Sequence, residues 1–178
     1  MSNVSTIRPL LRLLFVSCVS GWLLGGCSEK IEPKPNTYSQ LLTGTEKKAW
    51  RLVSFQYIDE GVAGDITQIS QTTLPRCRAD DQYVFYANAE RKFEYSNGAT
   101  KCSTAEPDVL IEDNWTLVPA SASLQFLIPI FFDQALPFTV KNLTQNVLTV
   151  EVYYDKTFSA PGNINASQRF TFNAVTTQ

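Results

Sequence analysis

Along most of the chain, apolar and polar positions alternate with a period of two, the pattern of strands with one buried face. The clearest case is residues 92–96 (KFEYS), where Phe93 and Tyr95 fall on one side and Lys92 and Glu94 on the other. Residues 82–86 (QYVFY) and 146–154 (NVLTVEVYY) are rich in β-branched and aromatic side chains and also read as strands. So do residues 50–58, 112–118, 123–128, 136–143 and 168–175, with a short strand at 66–69. Turn-forming residues separate them at 59–64 (DEGVAG), 88–91 (NAER), Asn97-Gly98, 119–121 (PAS) and 158–166, and residues 72–76 and 103–109 read as loops. Helical spacing is scarce, and only residues 41–49 (LLTGTEKKA) are expected to form a turn or two of helix. About eight or nine strands follow one another without intervening helices, which predicts an all-β antiparallel meander. Such a meander closes into a barrel or a sandwich, because an open sheet leaves reactive edges.

The N-terminal segment does not fit this pattern. Arg8 and Arg12 form a basic flank, and residues 13–24 are mostly apolar. A run of roughly a dozen residues is too short for a bilayer span of ~20 and suits the apolar region of an export signal. It ends in Leu24-Gly25-Gly26-Cys27, which resembles the lipobox of bacterial lipoproteins. That resemblance implies cleavage before Cys27 and lipidation of its thiol, several acyl chains being needed for a stable anchor. Residues 28–40 (SEKIEPKPNTYSQ) then read as a tether, extended by Pro33 and Pro35. The expected organisation is a signal peptide at 1–26, the lipidated cysteine and tether at 27–40, and one folded domain at 41–178. The expected address is the cell envelope, at the outer membrane of a Gram-negative cell, reached through the lipid anchor.

Charge and cysteine content narrow the function. A formal net charge of −2, without a Lys/Arg stripe, argues against nucleic-acid binding. Of the four cysteines, Cys18 lies in the apolar signal region and Cys27 at the lipobox, leaving Cys77 and Cys102 for the domain. An even pair in an exported protein reads as a disulfide. It closes a loop of about 25 residues, worth on the order of 3 kcal/mol in the chain-entropy model.

Several elements together resemble the small lipocalin-like lipoproteins of the Bacteroidetes. Leu41-Leu42-Thr43-Gly44 precedes Trp50-Arg51-Leu52, similar to that family's opening, with residues 45–49 extra in this chain. Cys77-Arg78-Ala79-Asp80-Asp81-Gln82-Tyr83-Val84-Phe85 is similar to its cysteine–acid–aromatic element, with a second cysteine after the next hairpin and Trp115 on a later strand. The resemblance implies a lipocalin-like, up-and-down β-barrel of about eight strands. It also implies that a tryptophan of the first strand packs beneath a basic residue of the last at the barrel floor. Trp50 and Arg169 are the matching residues, and a cation–π contact of this kind contributes about 0.5–2 kcal/mol.

Candidate chemistry is sparse. The chain has no histidine, so Ser-His-Asp and Cys-His sites are excluded within it. Asp80 and Asp81 read as strand-entry acids capping local N–H groups. Asp59, Glu60 and Asp65, like Glu112 and Asp113, read as solvated acids, and no spaced set of oxygens marks a calcium loop. Asn114-Trp-Thr, Asn142-Leu-Thr and Asn165-Ala-Ser match the glycan acceptor pattern and read as chance matches beside a bacterial lipobox. Tyr83, Phe85, Phe93, Tyr95, Phe126, Phe138, Phe170 and Phe172 alternate along strands. In a small barrel they either fill the interior or line a cup for one small ligand. Phe131-Phe132, beside Pro129, is expected at a rim or loop. The expected function is a non-enzymatic, lipid-anchored barrel that binds a small apolar ligand or an envelope partner, with Tyr83, Phe85, Phe93, Tyr95, Phe126, Phe170 and Phe172 as lining residues. No metal or organic cofactor is implied. The alternative is a filled barrel acting through its outer surface as an assembly module. A hydrolase using paired acids ranks third.

Overall fold

The computed structural model describes residues 37–70, 74–154 and 165–175. Cys27, the signal segment and most of the tether lie outside them. The described chain opens with a short helix, α1 (Tyr38–Thr43), followed by β1 (Lys47–Asp59), β2 (Val62–Gln68), β3 (Gln82–Tyr86), β4 (Lys92–Ser96) and β5 (Val109–Asn114). It continues through β6 (Thr116–Val118), β7 (Ser123–Phe126), β8 (Leu136–Leu143), β9 (Val147–Tyr153) and β10 (Ala166–Ala174). All pairings are antiparallel, and the strands run in the order β5-β4-β3-β1-β10-β9-β8-β7-β6, with β2 pairing β1 off this path. The meander is therefore a barrel-shaped sheet, closed by the first long strand against the last and open only between β5 and β6.

The helix is set by local chemistry. The Thr37 side chain accepts from the Gln40 amide, and the Gln40 side chain accepts from the Thr37 amide, a capping box. Gly44, at φ +66°, ends the helix, a conformation that side chains with Cβ rarely adopt. The helix thus lies earlier than the expected 41–49, and it starts within the stretch read as tether. The residues after Gly44 extend β1 instead, and residues 47–50 pair with β3.

Two further expectations change. The expected loop at 59–64 is a two-residue turn: Glu60 and Gly61, at φ +48° and +80°, reverse the chain into β2. The expected strand at 112–118 is broken at Trp115. That residue's amide donates to the Arg91 carbonyl at 2.9 Å and its indole Nε1 to the Tyr86 carbonyl at 3.0 Å. Anchored there, it turns the chain away from β4 and starts β6 against β7, which is where the barrel stays open.

Inward positions follow the period of two. Trp50 lies opposite Tyr83 and Ala174, Phe85 opposite Phe93, and Phe172 opposite Leu148. These side chains and their neighbours on β7 and β8 form one continuous core.

Candidate functional site

The floor of the barrel is built from its first turn of chain. Leu42, on α1, is fully buried against the core. Trp50 is likewise fully buried, and its Nε1 donates to the Leu42 carbonyl at 2.8 Å, tying helix to strand. Two residues earlier on β1, Lys48 shares the inward face. Its Nζ lies 4.4 Å from the Trp50 ring centroid and donates to the carbonyls of Leu41 at 2.9 Å and Gln145 at 2.5 Å. Burial lowers the Lys48 pKa from its ordinary value.

Arg169 is not the partner of Trp50. The register of β1 with β10 places Arg169 opposite Gln56, with Ala174 opposite Trp50. Arg169 also points to the outer face, where Nε and Nη2 donate to Glu151 Oε2 at 3.0 and 2.9 Å. Glu151 is only 3 % exposed. Burial pushes its carboxyl up, and the Ser167 hydroxyl, at 2.7 Å, together with Arg169 and Lys141, outweighs that and holds its pKa below the ordinary glutamate value.

The structure brings the expected lining residues together, but against one another. Tyr83, Phe85, Phe93, Tyr95, Phe126, Phe170 and Phe172 are all between 0 and 3 % exposed. Phe126 sits among them, with ring centroids at 5.2 Å from Phe85, 5.8 Å from Phe93, 5.0 Å from Phe138 and 6.0 Å from Phe172. Tyr83 is 5.1 Å from both Tyr95 and Phe172. Phe170 belongs to a second knot, 5.0 Å from Phe131 and 5.9 Å from Phe132, and Phe131 is 5.0 Å from Phe55. Phe131 and Phe132 are partly buried against the core. These centroid distances are those of touching rings.

A polar cluster lies where β3 begins. Cys77 and Cys102 form a disulfide, with Cα atoms 4.9 Å apart. Between them in sequence, Gly98 packs over Asp80: a Cβ there would lie 2.2 Å from the Asp80 carbonyl oxygen. The Gly98 amide donates to Asp81 Oδ1 at 3.3 Å and the Thr100 amide to Asp80 Oδ2 at 3.0 Å. Both acids therefore accept N–H groups of the facing loop. Asp81 is 2 % exposed and accepts from the Tyr95 hydroxyl. Burial pushes its pKa up, and the Tyr95 hydroxyl, the Gly98 amide and Arg78, 3.5 Å away, recover part of that. Arg78 also holds Glu106 at 2.7 Å. Lys48 and this ion-paired cluster escape a reading by sequence, the first because its inward direction depends on where β1 starts.

Among the described residues, no group of three or more His, Cys, Asp or Glu side chains is placed to hold a metal ion. Among the same residues, no helix is long and apolar enough to cross a membrane. No family model matches the chain, and no curated protein is significantly similar to it.

Proposed function

We propose that this protein is a lipid-anchored, non-catalytic module of the cell envelope, of the lipocalin-like lipoprotein kind, whose barrel is filled by its own side chains and which works through its outer surface. The observation that carries this reading is the packing of the expected lining residues. Each is almost fully removed from solvent, and each of their rings is in contact with another ring of the core. A cup for an apolar ligand needs inward aromatics that face a void, and these face each other. The nearly closed sheet then serves as a rigid support for surface groups. Anchoring rests on Leu24-Gly25-Gly26-Cys27 and the basic, apolar segment before it.

The test is native mass spectrometry of the full chain, expressed with its export signal and released gently from the membrane fraction. The expected spectrum carries the mass of acyl chains on Cys27 and no further small molecule that leaves on denaturation. A reproducible, dissociable adduct would replace this reading with the ligand cup. Cys27→Ala should move the protein from the membrane fraction to the soluble one.

A further inference from the structure

β1 serves two neighbours on one edge. Residues 47–50 pair with β3 and residues 54–59 with β2. Arg51, Leu52 and Val53 thus stand at a fork, where the Val53 carbonyl accepts from the Ile69 amide at 2.7 Å. On the other edge β1 pairs with β10, Leu52 opposite Phe172 and Arg51 opposite Asn173, with a bulge between Leu52 and Ser54. Leu52 points into the core, so Arg51 points outward. The fork is a groove of about 300 Å³, walled by Arg51 to Val53, by Ile69 and Ser70, and by Arg76, Ala79, Asp80 and Thr100. The last wall is held in place: the Cys77–Cys102 disulfide and the Thr100–Asp80 hydrogen bond fasten its two strands of chain together.

The charges in this groove are unlike the rest of the surface. Arg78, Lys92, Lys101, Lys141 and Arg169 each pair with a carboxylate. Lys47 and Lys48 hold hydroxyl or carbonyl oxygens, and Arg91 lies over the Trp115 ring. Among the described residues, Arg51 and Arg76 are the two cations with no such partner, and both line this one groove. Asp80 forms an ion pair with neither: its Oδ2 accepts from the Thr100 amide and its Oδ1 is shut away from solvent, so its single charge offsets only part of theirs.

We propose that this groove is an anion site that takes a phosphate monoester. Guanidinium groups bind phosphate through paired, charge-assisted hydrogen bonds. Two of them lining one groove, on β1 and on the disulfide-held wall, suit a tetrahedral dianion better than a planar carboxylate, which one fork satisfies. The volume exceeds that of phosphate and leaves room for an attached organic group beside Ile69. The chain's net charge of −2 offers anions no general attraction, so binding here is local. The site lies on the outer wall and does not depend on whether the barrel interior is filled.

The test is a titration of the full chain, in maltoside micelles, with inorganic phosphate against chloride at constant ionic strength. The Arg51 and Arg76 Nε–H resonances and the Thr100 amide should shift together to saturation. Arg51→Gln or Arg76→Gln should each weaken binding by about tenfold, one lost charge-assisted contact. The double variant should abolish it and Arg91→Gln should leave it unchanged, with circular dichroism confirming the fold of each. If Arg76→Gln unfolds, Arg76→Lys keeps the charge, loses the fork, and should still weaken binding. Shifts that do not saturate, or saturation that survives the double variant, overturn the proposal. Two further titrations distinguish the source of the phosphate. Saturation by glucose 1-phosphate alone assigns a soluble ester, and saturation only by phosphatidate mixed into the micelles assigns a lipid headgroup. Failure of both overturns the monoester assignment.

Discussion

Lys48 and Arg169 divide two tasks that look alike in a list of cations near aromatic residues. Lys48 closes the floor by satisfying two carbonyls above the Trp50 ring, while Arg169 neutralises a buried carboxylate on the outer wall. Lys48→Met keeps the stem and removes the charged donor, so it should cost about 1.5–3 kcal/mol in urea unfolding, the range for hydrogen bonds to a charged group. It should also shift tryptophan emission, because the ammonium leaves the Trp50 ring. Arg169→Met should destabilise through Glu151 and leave the emission unchanged. If instead Arg169→Met moves the emission and Lys48→Met does not, the floor assignment is wrong. Glu151 carries a second prediction, on pH. Its pKa is held below the ordinary 4.5, so its contribution is fully present above about that value and is lost as pH falls through the lower folded value. Glu151→Gln should therefore lose stability at neutral pH and flatten the acid side of the stability profile below the ordinary glutamate value of 4.5. Asp81 acts with the opposite sign, since a raised folded pKa favours the fold where the carboxyl is protonated. Unfolding midpoints across acid pH for the wild type, Glu151→Gln and Asp81→Asn separate the two.

The loop after β4 that carries Cys102 has little burial of its own, for residues Lys101 to Ala105 are exposed. Its order comes from the covalent bridge and from Gly98 seated on Asp80. Replacing Cys77 and Cys102 by serine should cost about 3.5 kcal/mol, the loop-closure value for a separation of 25 residues. Hydrogen exchange should show the loss concentrated at Gly98 and Thr100, with β9 and β10 keeping their protection relative to the lowered global stability. Uniform loss across the sheet would mean that the loop is part of the barrel's cooperative unit. Elements of this kind mark the limit of what sequence makes legible. The strands β3, β4, β9 and β10 are visible because their core side chains recur at every second residue, although outward Val84, Glu94 and Glu151 are covered as well. β2 is legible only in its second half, at 66–69, because it is exposed on almost every position and its first half owes its conformation to the turn at Glu60-Gly61 and to β1. The break at Trp115 is hidden for the converse reason. Residues 112–118 contain no glycine or proline to mark a stop, and what ends the strand is a pair of acceptors, Arg91 and Tyr86, far away in sequence. The groove of Arg51 and Arg76 is invisible in the same way, because a missing ion pair is a property of the folded surface.

At the scale of the whole molecule, the question is whether the closed sheet encloses protein or space, and Phe126 decides it. Its ring lies at the meeting point of β3, β4, β8 and β10, touching Phe85, Phe93, Phe138 and Phe172. In a filled barrel, Phe126→Ala removes the central piece of the packing. The side chains around it stand on a hydrogen-bonded, nearly closed sheet, so the walls cannot collapse fully onto the gap. The variant should lose about 3–5 kcal/mol, the cost of a large-to-small change that leaves a cavity. The void is lined by aromatic and aliphatic carbon and should stay dry, which makes it a site for a small apolar probe such as benzene. Benzene should therefore raise the unfolding temperature of Phe126→Ala and leave that of the wild type unchanged. In a ligand cup the order reverses. The wild type would already respond to benzene or to longer apolar probes, and Phe126→Ala would weaken that response by removing a wall of an existing site. One thermal titration of two proteins thus separates the readings. It does so through the sign of the difference, which holds even if the destabilisation differs from the expected size.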